Sequence, residues 1–237
     1  MTEVNVTLVQ FGISVQMSDV ILEDSPVDAV MAAASELGER IAQVEDEYIQ
    51  NQIDAGTGVI YCSTDHSSTA TLDATDLLIA DYVAEGVAKL RANKTRTYDG
   101  KYIMVSHPFA LHDLKQDPSS TGLLEASKYA APERIFKGEV GEINGARVIE
   151  SPYIQVQADA GSSTADVYYN FMFGKDSYGV VNNVDNGIRS YVRMPESQDG
   201  DELAQRGSVG VKLRVGAAIL KQDGLFRLEC VSTLGAN

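Results

Sequence analysis

Residues 25–54 read SPVDAVMAAASELGERIAQVEDEYIQNQID, and this stretch decides the fold. A capping serine, a proline at the first helical position and Asp28 three residues after the serine predict a helix that starts at Ser25. The helix can continue to about Asp54, where Gly56 stops it, which gives a length of about 40 Å. Apolar residues recur three and four apart and predict one buried face: Val27, Val30, Ala34, Leu37, Ile41, Val44 and Tyr48.

The surface of this helix allows two interpretations. Its other face carries charged residues such as Glu36, Glu39 and Glu47. The apolar spacing fits a heptad seam, which would predict a coiled coil. It also fits a single amphipathic helix that lies along a sheet. The second interpretation is favoured because no other stretch of the sequence repeats the seam.

Strand patterns flank the long helix on both sides. Upstream, apolar residues alternate over 4–17, and their parity shifts between Leu8 and Phe11, which predicts a bend or bulge near Gly12, or two strands in sequence. Near the C-terminus, apolar residues alternate over 209–215 and again over 226–230. Asp223-Gly224 lies between these runs and predicts a hairpin turn.

The middle of the chain mixes helix and strand signals. In order, it predicts a helix over 73–93, a strand over 102–105, a helical turn over 107–114, two strands around a tight turn over 136–149 and a buried strand over 168–173. The count is about three helices and eight strands, without the regular alternation of parallel βαβ units. The predicted fold class is therefore α+β.

Composition excludes several function classes. The chain has 34 acidic and 19 basic residues and a net charge of −15, whereas nucleic-acid binders need a basic surface to neutralise phosphates. We therefore expect no sequence-specific nucleic-acid binding. No apolar run reaches the roughly 18 residues of a membrane span, and no secretory signal is visible. Cys62 and Cys230 are predicted to be buried thiols, although a disulfide between them stays open.

No motif for catalysis or cofactor binding is present. His107 and His112 are five residues apart, which is not the spacing of a helical zinc pair, and His66 lies in a polar loop beside Asp65 without an evident third partner. Neither G-x-S-x-G nor a complete phosphate-binding loop occurs, and the nearest candidate at 174–177 lacks the upstream glycine. We therefore predict no catalytic, cofactor-binding or metal-binding residues, no cofactor, and a protein that is not an enzyme.

Three segments in order carry a family resemblance. They are residues 102–114 (YIMVSHPFALHDL), residues 138–151 (GEVGEINGARVIES) and residues 201–212 (DELAQRGSVGVK), the last followed by GAAIL at 216–220. Together they resemble the major capsid proteins of tailed bacteriophages of the phage N-four type, which are similar to the Hong Kong phage shell fold. Gly138 opens the most specific of the three segments.

The resemblance implies a fold, a function and a set of partners. Residues 1–17 look like part of an extended loop, 18–62 with 201–237 like a peripheral domain with a long spine helix and a closing sheet, and 63–200 like an axial domain. The expected function is a structural subunit of an icosahedral bacteriophage capsid whose hexamers and pentamers enclose the DNA genome. Its main partner is itself, with scaffold, portal and decoration proteins as further candidates. We expect synthesis in the host cytoplasm and residence in the virion.

One departure and two alternatives accompany the resemblance. Members of the family carry a long N-terminal arm and the outgoing limb of the extended loop, and we expect this chain to lack both. The first alternative is an encapsulin-like compartment shell, which shares the fold and holds cargo protein. The second is an acidic α+β hydrolase, which would require a deep pocket with two converging carboxylates of perturbed pKa.

Overall fold

The computed structural model describes residues 3–25, 28–117, 139–182, 188–195 and 203–235. The chain divides into two units, each formed by two stretches of sequence. Unit 1 comprises Met1–Ile49 and Val180–Ala218, and unit 2 comprises Gln50–Gly179 and Ile219–Asn237. No described helix is both long enough and apolar enough to cross a membrane.

Helices and strands are mixed along the described residues, as the α+β prediction requires. The helices are α1 (Asp19–Asp24), α2 (Ala29–Asp54), α3 (Ala80–Ala92) and α4 (Pro108–Gln116). The strands are β1 (Val9–Ser18), β2 (Val59–Tyr61), β3 (Tyr102–Ser106), β4 (Glu139–Ile143), β5 (Ala146–Glu150), β6 (Val156–Gln157), β7 (Val167–Phe173), β8 (Tyr178–Asn182), β9 (Arg189–Arg193), β10 (Arg206–Ile219) and β11 (Leu225–Cys230). The α+β class is confirmed.

Unit 1 is built on a four-stranded sheet in which β10 pairs with β1 on one side and with β8 and β9 on the other. The antiparallel ladder of β1 and β10 runs without interruption from Val9 opposite Val215 to Ser18 opposite Arg206. The predicted bend, bulge or pair of strands at Gly12 is therefore wrong. The apolar parity shifts because Leu8 lies outside the strand, which starts at Val9.

Helix α2 lies along one face of this sheet, which confirms the single amphipathic helix. Leu37 and Ile41 are buried against β10, and Phe11 stacks edge-on against Tyr48 with ring centroids 5.4 Å apart. The helix ends at Asp54 as predicted, but its start differs. Asp28 Oδ1 accepts hydrogen bonds from the amides of the first helical turn, so the capping residue is Asp28 and not Ser25. Pro26 and Val27 lie outside the described residues.

Unit 2 is built on a seven-stranded sheet of order β2-β11-β7-β3-β5-β4, with β6 also paired to β7. All seven residues of β7, including the polar Asn170, are buried, which confirms the buried strand predicted over 168–173. Helices α3 and α4 join the strands in one apolar cluster, to which α3 contributes Val83, Val87 and Leu90 and α4 contributes Leu111 and Leu114. The sheet therefore has a double-sided core at its centre.

Two predictions in unit 2 need correction. The second helix begins at Ala80 and not near Asp73, because the Asp73 carboxylate accepts hydrogen bonds from Thr75 and holds a turn instead. The C-terminal strands form as predicted but are not a hairpin. β10 pairs within the sheet of unit 1, whereas β11 pairs with β2 and β7. Gln222–Gly224 forms a short 3-10 turn between them.

The segments that carry the family resemblance map onto defined elements. Residues 102–114 form β3 and α4, residues 139–150 form β4 and β5, and residues 206–219 form β10. Gly138 itself lies outside the described residues. Asn144 and Gly145 both adopt positive φ, 51° and 91°, and close the tight turn predicted between β4 and β5. Asn-Gly is the favoured pair for such a two-residue turn.

Candidate functional site

The histidines have structural partners. His107 is the N-cap of α4, where its Nδ1 accepts a hydrogen bond of 3.2 Å from the Phe109 amide. Its ring lies 4.8 Å from that of Tyr168, and burial lowers the pKa of His107. His112 contacts Asp113 at 3.3 Å through Nδ1. Both rings therefore contact neighbouring residues of the fold, and neither is positioned as a metal ligand or a general base.

His66 has a partner that sequence analysis missed. Its Nδ1 lies 2.7 Å from Asp76 Oδ2, and this hydrogen bond raises the pKa of His66. Asp76 Oδ2 also accepts a hydrogen bond of 2.9 Å from the Asp73 amide. Ligand atoms of His66, Asp73 and Asp76 lie within 4.8 Å of one another. The Asp76 carboxylate already lies within hydrogen-bond distance of the His66 ring and the Asp73 amide, which belong to the same loop. The arrangement therefore closes that loop. No motif in the sequence links His66 to a residue ten positions later.

A buried ion network lies in unit 2. Glu229 is fully buried, and its carboxylate receives hydrogen bonds of 2.7 Å from Arg227 and 2.6 Å from the Thr69 hydroxyl. Arg227 also pairs with the Asp54 carboxylate and lies 4.6 Å from the ring centroid of Tyr169. Burial lowers the pKa of Arg227, but Glu229 and Asp54 outweigh it, and the net pKa is raised. Every charge has a partner, which makes the network structural.

The tyrosine of this network is not poised for proton transfer. Burial, reinforced by Glu229, raises the pKa of Tyr169 to about 12. Cys62 and Cys230 are both buried free thiols, and burial raises the pKa of the Cys62 thiol. A thiol must ionise to act as a nucleophile, so burial keeps Cys62 inert.

A shallow groove of about 340 Å³ lies on the sheet of unit 1, on the face turned away from α2. Its lining combines small residues with two cations and one aromatic ring, and includes no carboxylate: Gly12, Ile13, Ser14, Tyr191, Arg193, Ser208, Gly210, Val211 and Lys212. This groove does not supply the two converging acids that the hydrolase hypothesis requires. Its two cations, Arg193 and Lys212, give the groove a positive charge.

Unit 1 carries opposite charges on its two sides. Residues of β10 are alternately buried under α2 and turned to the open face of the sheet. The described residues of β9 and β10 contain five cations and no acid, and β1 contains no charge: the cations are Arg189, Arg193, Arg206, Lys212 and Arg214. On the other side, α2 exposes four acids and one cation: Glu36, Glu39, Asp46 and Glu47, with Arg40 among them. We call the open side, formed by β1, β9 and β10, the basic face.

Comparisons with known proteins identify one family and one fold. A family model described as phage capsid protein matches residues 2–228. The fold is similar to the capsid of Ralstonia phage GP4, with a TM-score of 0.77 and 15% identity over 98% of this chain and 76% of that one. It is also similar to the capsid of cyanophage Pam1, with a TM-score of 0.72 and 16% identity over 97% of this chain and 76% of that one.

A compartment shell shares the fold as well. The holo-SrpI encapsulin complex from Synechococcus elongatus is similar with a TM-score of 0.58 and 14% identity, over 97% of this chain and 76% of that one. A search of curated protein sequences gives no match. At these identities the likeness to solved structures concerns the fold.

Proposed function

We propose, from the premise that this chain belongs to the phage capsid protein family, that its copies assemble into the hexamers and pentamers of an icosahedral shell around a DNA genome. The chain is a structural, non-enzymatic subunit of a phage capsid. The observation that carries the proposal is the family match over residues 2–228, nearly the whole chain. The match includes every described helix and strand except the last two residues of β11.

The physical chemistry of the chain supports assembly from one subunit type. A closed shell needs heterologous interfaces, in which two different surfaces of the subunit meet. Unit 1 offers two such surfaces, one acidic and one basic. A net charge of −15 would also keep a packaged polyanion from adhering to the wall.

We assign the shell roles to the two units. Unit 1 contains the long helix α2 and the long strand β10, and we propose it as the peripheral domain, with residues 1–17 as part of the extended loop. Unit 2 is proposed as the axial domain that meets its copies around the five-fold and six-fold centres. This assignment moves residues 50–62 and 219–237 into the axial domain and residues 180–200 into the peripheral domain, relative to the bounds predicted from sequence.

The remaining partners follow from the same role. Scaffold, portal and decoration proteins are proposed as transient or stoichiometric partners of the shell. Synthesis in the host cytoplasm precedes incorporation into the virion. Sequence-specific binding to nucleic acid is not part of the proposal, because the chain is acidic overall.

An encapsulin-like compartment is the second candidate, favoured by the TM-score of 0.58 to a solved encapsulin. The two functions differ in what the shell contains. Particles purified from infected or expressing cells would contain genomic DNA in one case and a cargo protein in the other. The absorbance ratio at 260 and 280 nm, with nuclease protection, separates these outcomes.

The first test is electron microscopy of the purified chain together with size-exclusion light scattering. Rings, sheets or closed shells of uniform curvature are the expected result. Reversible dissociation on dilution or at high salt separates assembly from aggregation, because ordered contacts between charged surfaces weaken with ionic strength. A monodisperse monomer at every concentration and salt would contradict the proposal.

A further inference from the structure

The two cysteines of the chain are neighbours on adjacent strands of unit 2. In the parallel ladder of β2 and β11, the last paired residues are Tyr61 and Glu229. Cys62 and Cys230 directly follow this pair, and the Cys62 amide donates a hydrogen bond of 2.9 Å to the Glu229 carbonyl. The sequence contains no further cysteine, so each thiol has the other as its one partner for a disulfide within the chain.

The positions of the two thiols suit a disulfide. Adjacent strands lie about 4.8 Å apart, and disulfides span Cα–Cα distances of about 4.4–6.8 Å. Both thiols belong to the same buried cluster, and a hydrogen bond joins the two side chains. Cys62 lies just beyond the last residue of β2, so its backbone and side chain can adjust to the shorter distance between bonded sulfurs.

Strand β2 provides a route by which an oxidant reaches the buried pair. Cys62 and Cys230 are 1% and 0% exposed, so the closed fold keeps both thiols from solvent. β2 has three residues and lies at the edge of the seven-stranded sheet, where β11 is its neighbour. Short edge segments open at a fraction of the free energy of global unfolding. Opening of β2 brings Cys62 into water, where its thiol can ionise.

We propose that Cys62 and Cys230 form an oxidation site, which closes to a disulfide when the particle leaves a reducing cytoplasm. The timing rests on the proposed function, because thiols stay reduced in the cytoplasm and disulfides persist outside cells. The bond ties together the two stretches of sequence that build unit 2, Gln50–Gly179 and Ile219–Asn237.

The reaction needs an oxidant, and a low-molecular-weight disulfide such as oxidised glutathione supplies it. The Cys62 thiolate attacks one glutathione sulfur, which forms a mixed disulfide and releases one glutathione thiolate. As β2 pairs again, Cys230 loses its proton and attacks the Cys62 sulfur, and the second glutathione leaves as a thiolate. The two released thiolates take up the two protons that the cysteines lose. The cysteines are thus oxidised by two electrons, and one glutathione disulfide is reduced to two thiols.

Peptide mapping tests the disulfide directly. The unchanged chain is incubated with oxidised glutathione, its remaining thiols are alkylated with iodoacetamide, and tryptic peptides are analysed by mass spectrometry without reduction. Trypsin cleaves after Arg40, Lys89 and Arg227, so we expect a linked pair of peptides, 41–89 and 228–237, that separates on reduction. Alkylation of both cysteines, under conditions in which the unfolded chain forms the bond, would overturn the proposal. So would a link between two identical peptides, which has to join two copies of the chain.

The disulfide should also raise thermal stability. A bond between residues 62 and 230 restricts the unfolded chain, so the oxidised chain should unfold at least about 5 °C above the reduced chain. Cys62→Ala and Cys230→Ala each remove one thiol and should abolish this difference. The same shift on oxidation of either variant would contradict the disulfide as its cause.

A matched pair of variants tests the route through β2. Ile60 in β2 and Ile143 in β4 are each 3% exposed in the same apolar cluster, and their strands form opposite edges of the sheet. Ile60→Ala should raise the rate of disulfide formation at least about fivefold, whereas Ile143→Ala should raise it less than about twofold, because the first variant alone loosens β2. Equal rates in the two variants would assign access to global unfolding and overturn the route through β2.

The timing is tested on particles. Subunits alkylated inside cells before lysis should have two free thiols, and particles collected after release should contain the disulfide. A disulfide before lysis, or free thiols in released particles, would overturn the timing. The peptide map of the purified chain requires no assembly, so a chain that forms the disulfide without forming shells would overturn the proposed function and leave the oxidation site standing.

Discussion

Units 1 and 2 both contain a sheet with helices, but they bury different numbers of sheet faces. Every residue of β7 in unit 2 is buried, whereas β10 in unit 1 has alternately buried and accessible residues over most of its length. A sheet that is covered on both faces leaves neither face open. A sheet covered on one face keeps the other available for association, and in unit 1 that face is charged.

The largest effect is expected from a substitution that breaks the buried network of unit 2. Arg227→Met leaves the fully buried Glu229 carboxylate without its cation. We expect the free energy of unfolding to fall by about 3–5 kcal/mol, the usual cost of an uncompensated buried charge. Urea denaturation followed by circular dichroism measures the change.

Two controls accompany this variant. Arg214→Met removes an exposed arginine of unit 1 and should change stability by less than about 0.5 kcal/mol. Adding Glu229→Leu to Arg227→Met should recover part of the loss, because the unpaired carboxylate is removed. Equal effects of Arg227→Met and Arg214→Met would show that the buried network does not distinguish the two units.

Replacing one core leucine by alanine in each unit tests the comparison between the two sheets. Leu228 in unit 2 and Leu213 in unit 1 are both fully buried. Leu228→Ala and Leu213→Ala should each cost about 2–5 kcal/mol. We expect the larger loss for Leu228→Ala, since its strand pairs with β7, which is buried on both faces, and the site has less room to relax. A larger loss for Leu213→Ala in parallel denaturation series would contradict the double-sided core.

Two glycines should respond differently to the same substitution. Gly145 has a φ of 91° in the turn between β4 and β5, and a Cβ there would lie 2.7 Å from the Arg91 guanidinium. Gly145→Val should therefore cost about 1–3 kcal/mol through backbone strain. Gly12→Val in β1 is the matched control and should cost nothing or stabilise by up to about 1 kcal/mol. Unchanged yield and thermal stability of Gly145→Val would refute the turn.

The smallest expected effect concerns pH. The hydrogen bond to Asp76 raises the pKa of His66, so the charged pair contributes stability that is fully present below the unfolded pKa of about 6.5. That contribution is lost as pH rises through the folded pKa. The difference in stability between the unchanged chain and His66→Gln should therefore shrink as the pH rises from below about 6.5 through the raised folded pKa. A constant difference would show that His66 does not titrate through this pair.

Local signals predicted much of the fold. Spacing over α2 predicted its buried face on Leu37 and Ile41, the mainly apolar run over 168–173 predicted β7, and the glycines within 136–149 predicted a turn. Each of these signals depends on neighbours within a few residues, so it can be recognised in a single sequence.

These local signals could not predict which strands pair when the strands are far apart in the sequence. The alternation over 209–215 and 226–230 identifies two strands, but nothing in it states that β10 pairs with β1 while β11 pairs with β7. The basic face could not be predicted from the sequence for the same reason. Arg189 and Lys212 become neighbours only once β9 and β10 pair, and a net charge of −15 conceals a local excess of cations.

The uninterrupted ladder between β1 and β10 also has a mechanical meaning. Ten residue pairs join these antiparallel strands in unbroken register. A pull directed along the strands stretches the hydrogen bonds of the whole ladder together, whereas a pull across them opens the pairs one after another from an end. Unit 1 should therefore resist tension better along its strands than across them, and the orientation of β1 and β10 within a shell sets the direction in which each subunit resists tension best.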